Sequence, residues 1–147
     1  MLKETIRKCI ENYQIGLIGE LENQFRDKKE AADIDELDVR DADAHSHQSQ
    51  AQSEEQLISN RLESAKASLE KLKSIPLTNT EKVSEGALIE TRSLIIYVGI
   101  ITRKFTEDGR DIIGISTEAP IYESLLGQTV GFPFQLAGID CKILSIQ

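Results

Sequence analysis

The chain has 147 residues, enough for one ordinary domain or two small ones, and its 25 acidic and 17 basic side chains give a net charge of −8. This charge argues against direct binding to nucleic acid and against docking on an anionic membrane, because both need a basic surface. No apolar run approaches the roughly 20 residues of a membrane span, and the N-terminus lacks a signal peptide, so a cytoplasmic protein is predicted. Cys9 and Cys141 lie in apolar patterns and predict buried free thiols.

Residues 1–76 predict two long helices that end at Pro76, the first proline of the chain. The first helix carries one apolar stripe, with steps of three or four residues, that consists of Leu2, Ile6, Ile10, Tyr13, Leu17, Leu21 and Phe25. The stripe of the second helix has the spacing of a coiled-coil seam and consists of Ile58, Leu62, Ala65, Leu69 and Leu72. Two helices with one stripe each are unstable apart, so we expect a long antiparallel coiled-coil hairpin.

The turn of the predicted hairpin is acidic. Six acids surround the single base Arg40 over residues 33–43, and they are Asp33, Asp35, Glu36, Asp38, Asp41 and Asp43. Helices over about residues 2–31 and 43–74 would each be roughly 45 Å long, which places the acids at the tip of a rod. Such a loop is most often a solvated turn. Carboxylates are also the ligands of Mg²⁺, and an incomplete site at a tip makes sense where a second macromolecule completes it.

The second half of the chain predicts short strands in ALIET, SLIIYVGII, RDIIGIS, FPFQLA and DCKILSIQ. Asp108-Gly109 is a hairpin turn, and APIYESLLG is one short helix with Pro120 in its first turn and Gly127 after its last. The result is an α+β protein in which a small antiparallel sheet, with one helix packed on it, follows the hairpin. Its predicted divisions are a hairpin over residues 1–76, a linker over 77–84 and a sheet domain over 85–147.

The sequence lacks the usual marks of a self-contained active site. His45 and His47 are two residues apart, so in a helix they face different directions and cannot readily share a metal ion. No Cys-x-x-Cys pair, glycine-rich phosphate loop or Gly-x-Ser-x-Gly turn is present. We therefore expect a protein that is not an enzyme and binds no cofactor tightly.

The second half resembles the C-terminal domain of the bacterial Gre transcript-cleavage factors. The family pattern is a Gly that opens the first strand, then Val-Gly, Ile-Ser, Pro, and a helix that ends Leu-Leu-Gly-x-x-Val-Gly. The matching residues occur in the same order and are Gly86, Val98-Gly99, Ile115-Ser116, Pro120, Leu125-Leu126-Gly127 and Val130-Gly131. Together with a long N-terminal helical hairpin, this order identifies the chain as similar to the Gre family.

The resemblance implies an FKBP-like C-terminal domain and a monomeric factor that acts on RNA polymerase. Gre factors dock at the polymerase secondary channel, and their acidic coiled-coil tip reaches the catalytic centre. There the tip carboxylates share a second Mg²⁺ with the polymerase, which then cleaves backtracked RNA by two-metal chemistry. On this basis Asp41 and Asp43 are the predicted catalytic tip acids and ligands of the shared Mg²⁺, and Asp38 is the next candidate.

The match at the tip is incomplete. The family motif is Gly-Asp-x-x-Glu-Asn followed by Ala; Asp41 falls on its Asp, but Arg40 replaces the Gly and Ala44 the Glu. Asp43 lies one residue short of the Glu position. In the domain, Phe132 replaces an Asp and Glu123 a basic residue. Phe132 and its neighbour Phe134 are expected to form the edge of a packed core rather than a partner contact.

Three functional hypotheses remain at this point. The first is a transcription elongation factor that promotes cleavage of backtracked RNA. The second is a Gre-like regulator that enters the channel without stimulating cleavage and acts by competition or on initiation. The third, from a different class, is a coiled-coil adaptor unrelated to polymerase, in which the acidic loop is a solubilising turn.

Overall fold

The computed structural model describes the backbone of residues 3–37 and 42–147 and the side chains of residues 3–30 and 52–147. Within these residues the helices are α1 (Lys3–Leu37), α2 (Ala42–Ser74) and α3 (Pro120–Leu125). The strands are β1 (Leu88–Glu90), β2 (Ile95–Gly99), β3 (Phe105–Glu107), β4 (Arg110–Ser116), β5 (Pro133–Leu136), β6 (Ile139–Lys142) and β7 (Ser145–Ile146). A helical hairpin followed by a small sheet with one short helix is thus confirmed.

The chain divides into two compact units, residues 12–69 and residues 1–11 together with 70–147. The first unit is the paired part of α1 and α2, and its buried centre is formed by Leu21, Ile58 and Ala65. Leu17, Ile18, Phe25 and Leu62 pack around this centre. The buried Gln14 crosses between the helices and donates from Nε2 to the carbonyl oxygen of Ala65 at 3.0 Å. The two predicted stripes therefore do meet in a seam.

The larger unit contains a five-stranded sheet of order β3-β4-β2-β1-β7 and a two-stranded sheet of β5 and β6. The prediction of an antiparallel sheet was wrong in one respect, because β2 and β4 pair in parallel, with Ile95 opposite Ile112. After β2 the chain crosses β4, where the Thr102 N–H donates to the Gly114 carbonyl at 3.1 Å. A Cβ at Gly114 would collide with the Ile100 carbonyl oxygen, so only glycine allows this crossing.

The C-terminal segment DCKILSIQ is not the single strand that its alternation predicted. It forms β6, which pairs with β5, and β7, which pairs with β1. The change of partner occurs at two adjacent residues, since the N–H of Ile143 donates to Phe132 and the N–H of Leu144 donates to Glu90. Strand β3, at the opposite edge of the five-stranded sheet, was not predicted at all, although its Asp108-Gly109 turn was predicted and is confirmed by positive φ at both residues.

Ile75, just beyond the end of α2, fixes the helix to the sheet. A Cβ at Gly86 would lie 2.7 Å from Ile75 Cγ2, and a Cβ at Gly99 would lie 2.7 Å from Ile75 Cδ1. Gly86 also has a φ of +88°, which side-chain-bearing residues rarely adopt. Two glycines of the family-like pattern therefore have a structural role, because together they form the socket for Ile75.

Arg7 of α1 satisfies the last carbonyl groups of α2. Its Nη2 donates to the Leu72 carbonyl at 2.6 Å and to the Lys73 carbonyl at 2.9 Å, and its Nη1 donates to the Ile75 carbonyl. The residue is only 8% exposed. The final carbonyls of a helix have no partner within the helix and carry its partial negative charge, so a guanidinium there is a strong cap. Arg7 thus joins the two ends of the hairpin at its base.

Replacement of Arg7 by Met is expected to lower the free energy of unfolding by at least about 2 kcal/mol, because buried carbonyl groups lose charge-assisted hydrogen bonds. Chemical denaturation of the full chain measures this loss. Lys8→Met is the matched control, since the Lys8 side chain is 71% exposed, and we expect it to change stability by less than about 0.5 kcal/mol. Equal effects of the two substitutions would show that the cap contributes little.

Tyr97→Phe is expected to stabilise the protein by about 1 kcal/mol, since the Tyr97 hydroxyl is buried and has no hydrogen-bond partner among the described residues. Burial raises the pKa of this phenol. The unfolded chain therefore ionises first as the pH rises above about 10, and stability falls in that range. Denaturation between pH 7 and 11 should show a smaller loss for Tyr97→Phe. A Tyr97→Phe variant less stable than wild type at pH 7 would contradict this account.

Candidate functional site

The hairpin unit carries nearly all of the net charge. Residues 12–69 contain thirteen acidic and six basic side chains, which accounts for −7 of the total of −8. The unit that contains the sheets is therefore almost neutral. Any function that depends on negative charge belongs to the hairpin, and within it to the segment that joins α1 to α2.

The structure describes the backbone positions of four of the six acids over residues 33–43. Asp33, Asp35 and Glu36 fall in the final residues of α1, and Asp43 is the second residue of α2. Asp38 and Asp41 lie outside the described residues, as does the side chain of Asp43. The prediction that these three acids form a magnesium-binding group therefore stays a prediction.

Nearer the seam, cross-helix ion pairs hold the hairpin. Lys28 Nζ lies 2.7 Å from a carboxylate oxygen of Glu54, and Lys66 Nζ lies 3.8 Å from one of Glu22. All four side chains are more than two-fifths exposed, so each pair contributes at most about 1 kcal/mol. The apolar seam, rather than these pairs, provides most of the energy that holds α1 and α2 together in the hairpin unit.

In the other unit, α3 and its flanking turns carry the predicted family pattern. The Ser116 hydroxyl accepts the Glu118 N–H at 3.1 Å, and this turn leads into α3 with Pro120 at its first position. Leu125 is fully buried, whereas Leu126 is 52% exposed and Val130 is 59% exposed. The chain after α3 is fixed by its pairing with Val83, which lies within the predicted linker. The sequence pattern could not show that Leu126 and Val130 are exposed.

Several other residues singled out from the sequence are structural. Phe132 and Phe134 are partly buried against the core of the sheets, which confirms the packed core edge. Cys9 and Cys141 are free thiols, the second of them buried, and burial raises the pKa of each. A raised pKa lowers the fraction of the reactive thiolate at neutral pH. The side chains of His45 and His47 lie outside the described residues.

The described part of the chain contains no group of three or more His, Cys, Asp or Glu side chains arranged to hold a metal ion. None of its helices is both long and apolar enough to cross a membrane.

No protein-family model matches the chain, and no curated protein matches it. Among solved structures it is similar to one of the transcription factor Gfh1, at 16% identity over 92% of each chain with a TM-score of 0.35. It is also similar to GreA factor homolog 1 (Gfh1) of Thermus thermophilus, at 18% identity over 93% of this chain and 94% of that one, with a TM-score of 0.37. Values this low do not establish a relationship, so the functional argument rests on the residues of this chain.

Proposed function

We propose that the protein is a Gre-like transcription factor that binds RNA polymerase at its secondary channel and promotes cleavage of backtracked RNA. The observation that carries the proposal is the combination of two features in one chain. The sequence carries six acids over residues 33–43, at the predicted turn of a helical hairpin, and the hairpin is followed by a small sheet unit with the ordered Gly86 to Gly131 pattern. The protein acts as an accessory factor, and the polymerase performs the chemistry.

In this proposal Asp41 and Asp43 hold a Mg²⁺ ion that the polymerase shares, with Asp38 as the next candidate. Their carboxylate oxygens match the ligands that Mg²⁺ prefers, and Asp43 is the second residue of α2. When bound, Mg²⁺ supplies an activated water for hydrolysis of the RNA. Asp33, Asp35 and Glu36, on the end of α1, would shape the local field rather than ligate.

The two units of the chain differ in net charge, and we propose a different task for each. The nearly neutral unit of residues 1–11 and 70–147 would make the main contact with polymerase, through its part over residues 85–147. The acidic hairpin would enter the channel, where its carboxylates lose water and repel one another unless a cation joins them. We further propose that the factor is a cytoplasmic monomer that makes no sequence-specific contact with nucleic acid.

A second candidate is a channel-binding regulator that does not stimulate cleavage. The specific observation in its favour is the tip sequence, in which Arg40 and Ala44 stand where the Gre motif has Gly and Glu. The loss of one family carboxylate and the addition of a guanidinium would weaken Mg²⁺ binding. Such a factor would compete for the channel or alter initiation.

The combined substitution Asp41→Asn and Asp43→Asn is expected to reduce cleavage of RNA in backtracked complexes at limiting Mg²⁺ at least tenfold, about 1.4 kcal/mol of barrier. Binding to polymerase should be nearly unchanged, because ligands of a shared metal act mainly on the transition state. Asp27→Asn with Glu63→Gln is the matched control, which removes two exposed acids from the same unit. If wild type gives no cleavage above polymerase alone, the factor is the non-cleaving regulator.

One molecule of the full chain is expected to bind one core polymerase, and native mass spectrometry can measure this stoichiometry directly. If the sheet unit makes the main contact, Leu126→Glu should weaken binding at least tenfold, because it places a charge on an exposed apolar side chain beside α3. Leu57→Glu is the control, since Leu57 is 50% exposed on the hairpin. Absence of any complex at micromolar concentration would remove polymerase as the partner.

A further inference from the structure

Gly16 and Gly19 lie in the interior of α1, at positions where the packing of the described residues does not require glycine. A Cβ atom added at either position would have nothing within 4 Å of it outside its own turn of the helix. Neither glycine has a positive φ. Gly114 is different, because a Cβ there would collide with the Ile100 carbonyl oxygen. Alanine would therefore fit at Gly16 and Gly19 without a clash.

Glycine is unfavourable at both positions. It is the poorest helix former after proline, because it loses the most backbone freedom when a helix forms. Gly16 and Gly19 are three residues apart, so a single turn of α1 contains both of them. Alanine at either position would stabilise the helix, and the sequence has glycine at both. Folding alone therefore does not explain these two glycines.

The apolar seam is interrupted at the same level of α1. Ile10 and Leu21 are buried about three turns apart, and the one buried side chain of α1 between them is the polar Gln14. Its Nε2 donates to the Ala65 carbonyl at 3.0 Å, whereas its amide oxygen has no hydrogen-bond partner among the described residues. A buried polar atom without a partner costs stability, and Ala65 buries little apolar area. This stretch of α1 is therefore held less firmly than the stretches around Ile10 and Leu21.

We propose that α1 contains a flexible joint over residues 14–19, at which the helix bends while its flanking turns stay intact. Low helix propensity and a weak seam are independent features, and both occur in this segment. Bends in helices are found at residues such as glycine, and segments with few buried apolar contacts open locally at low cost. Hinges consist of a few such residues, which absorb the change in backbone angles.

The use of this joint rests on the proposed function. A hairpin that enters a polymerase channel must follow the walls of that channel, and a joint in α1 lowers the energy needed to do so. If the channel admits the bent helix, the rate of entry depends on the fraction of molecules that can bend. Substitutions that stiffen the joint should therefore slow association with polymerase.

Amide hydrogen exchange on the free full chain, resolved by residue with NMR, tests the joint without any partner. Gly16→Ala with Gly19→Ala should slow exchange over residues 14–20 at least about fivefold, because local opening becomes less favourable. Asn12→Ala with Asn23→Ala is the matched control, since these exposed residues flank the glycines on α1 and both glycines are kept. The control should change exchange over the same residues by less than about twofold.

Gln14→Leu tests the joint from the seam, because it removes the unpaired amide oxygen and adds apolar surface facing Ala65. It should slow exchange of the same amides by a route that does not involve the glycines. Stopped-flow association with core polymerase is the functional readout. Its rate should fall at least about fivefold in the double glycine variant, in proportion to the lost bending population, and should be unchanged in the double asparagine control.

Three results would overturn the proposal. Wild-type exchange in the double glycine variant would mean that α1 has no joint. Slower exchange with an unchanged association rate would mean that the joint plays no part in channel entry. Slower association with unchanged exchange would mean that the glycines form a contact surface rather than a joint. Failure of the wild-type chain to bind polymerase would overturn the proposed function, and the exchange measurement would still decide whether the joint exists.

Discussion

The Arg7 guanidinium at the end of α2 is the interaction on which the rest of the sheet-containing unit depends. A buried charge is costly unless it is paired, and here three main-chain carbonyls of residues 72, 73 and 75 supply the partners. The same contact satisfies groups that any helix end leaves open. It also places Ile75 against Gly86 and Gly99. The polar contact of Arg7 and the apolar socket around Ile75 together fix where α2 ends and the sheet begins.

The described part of the hairpin unit is held mainly by its apolar seam. The seam around Leu21, Ile58 and Ala65 is short and includes a buried glutamine, and the surface ion pairs add little. The Arg7 contact and the apolar seam stabilise the fold. The sequence between residues 33 and 43 can therefore be selected for its charge rather than for folding. That separation is what the proposed function requires.

Periodicity predicted α1, α2 and their seam because the apolar spacing of each helix is sustained over many residues, as with Ile58, Ala65 and Leu72. It could not predict the parallel pairing of β2 and β4, since alternation is the same in either direction and the crossing depends on one glycine, Gly114. The cap by Arg7 was also beyond sequence reasoning, because it joins residues nearly seventy positions apart. At the candidate site, residue types alone suggested metal ligation, and the tip acids Asp38 and Asp41 stay predictions.

The measurement that tests the central proposal most directly locates the hairpin inside the polymerase. Fe²⁺ in place of the catalytic Mg²⁺ generates hydroxyl radicals at the polymerase active centre, and these cut whatever protein chain lies nearest. With the full chain bound, the account predicts cuts within residues 33–43 and none within residues 85–147. Cuts in the sheet unit, or a hairpin left intact in a complex that has demonstrably formed, would contradict it.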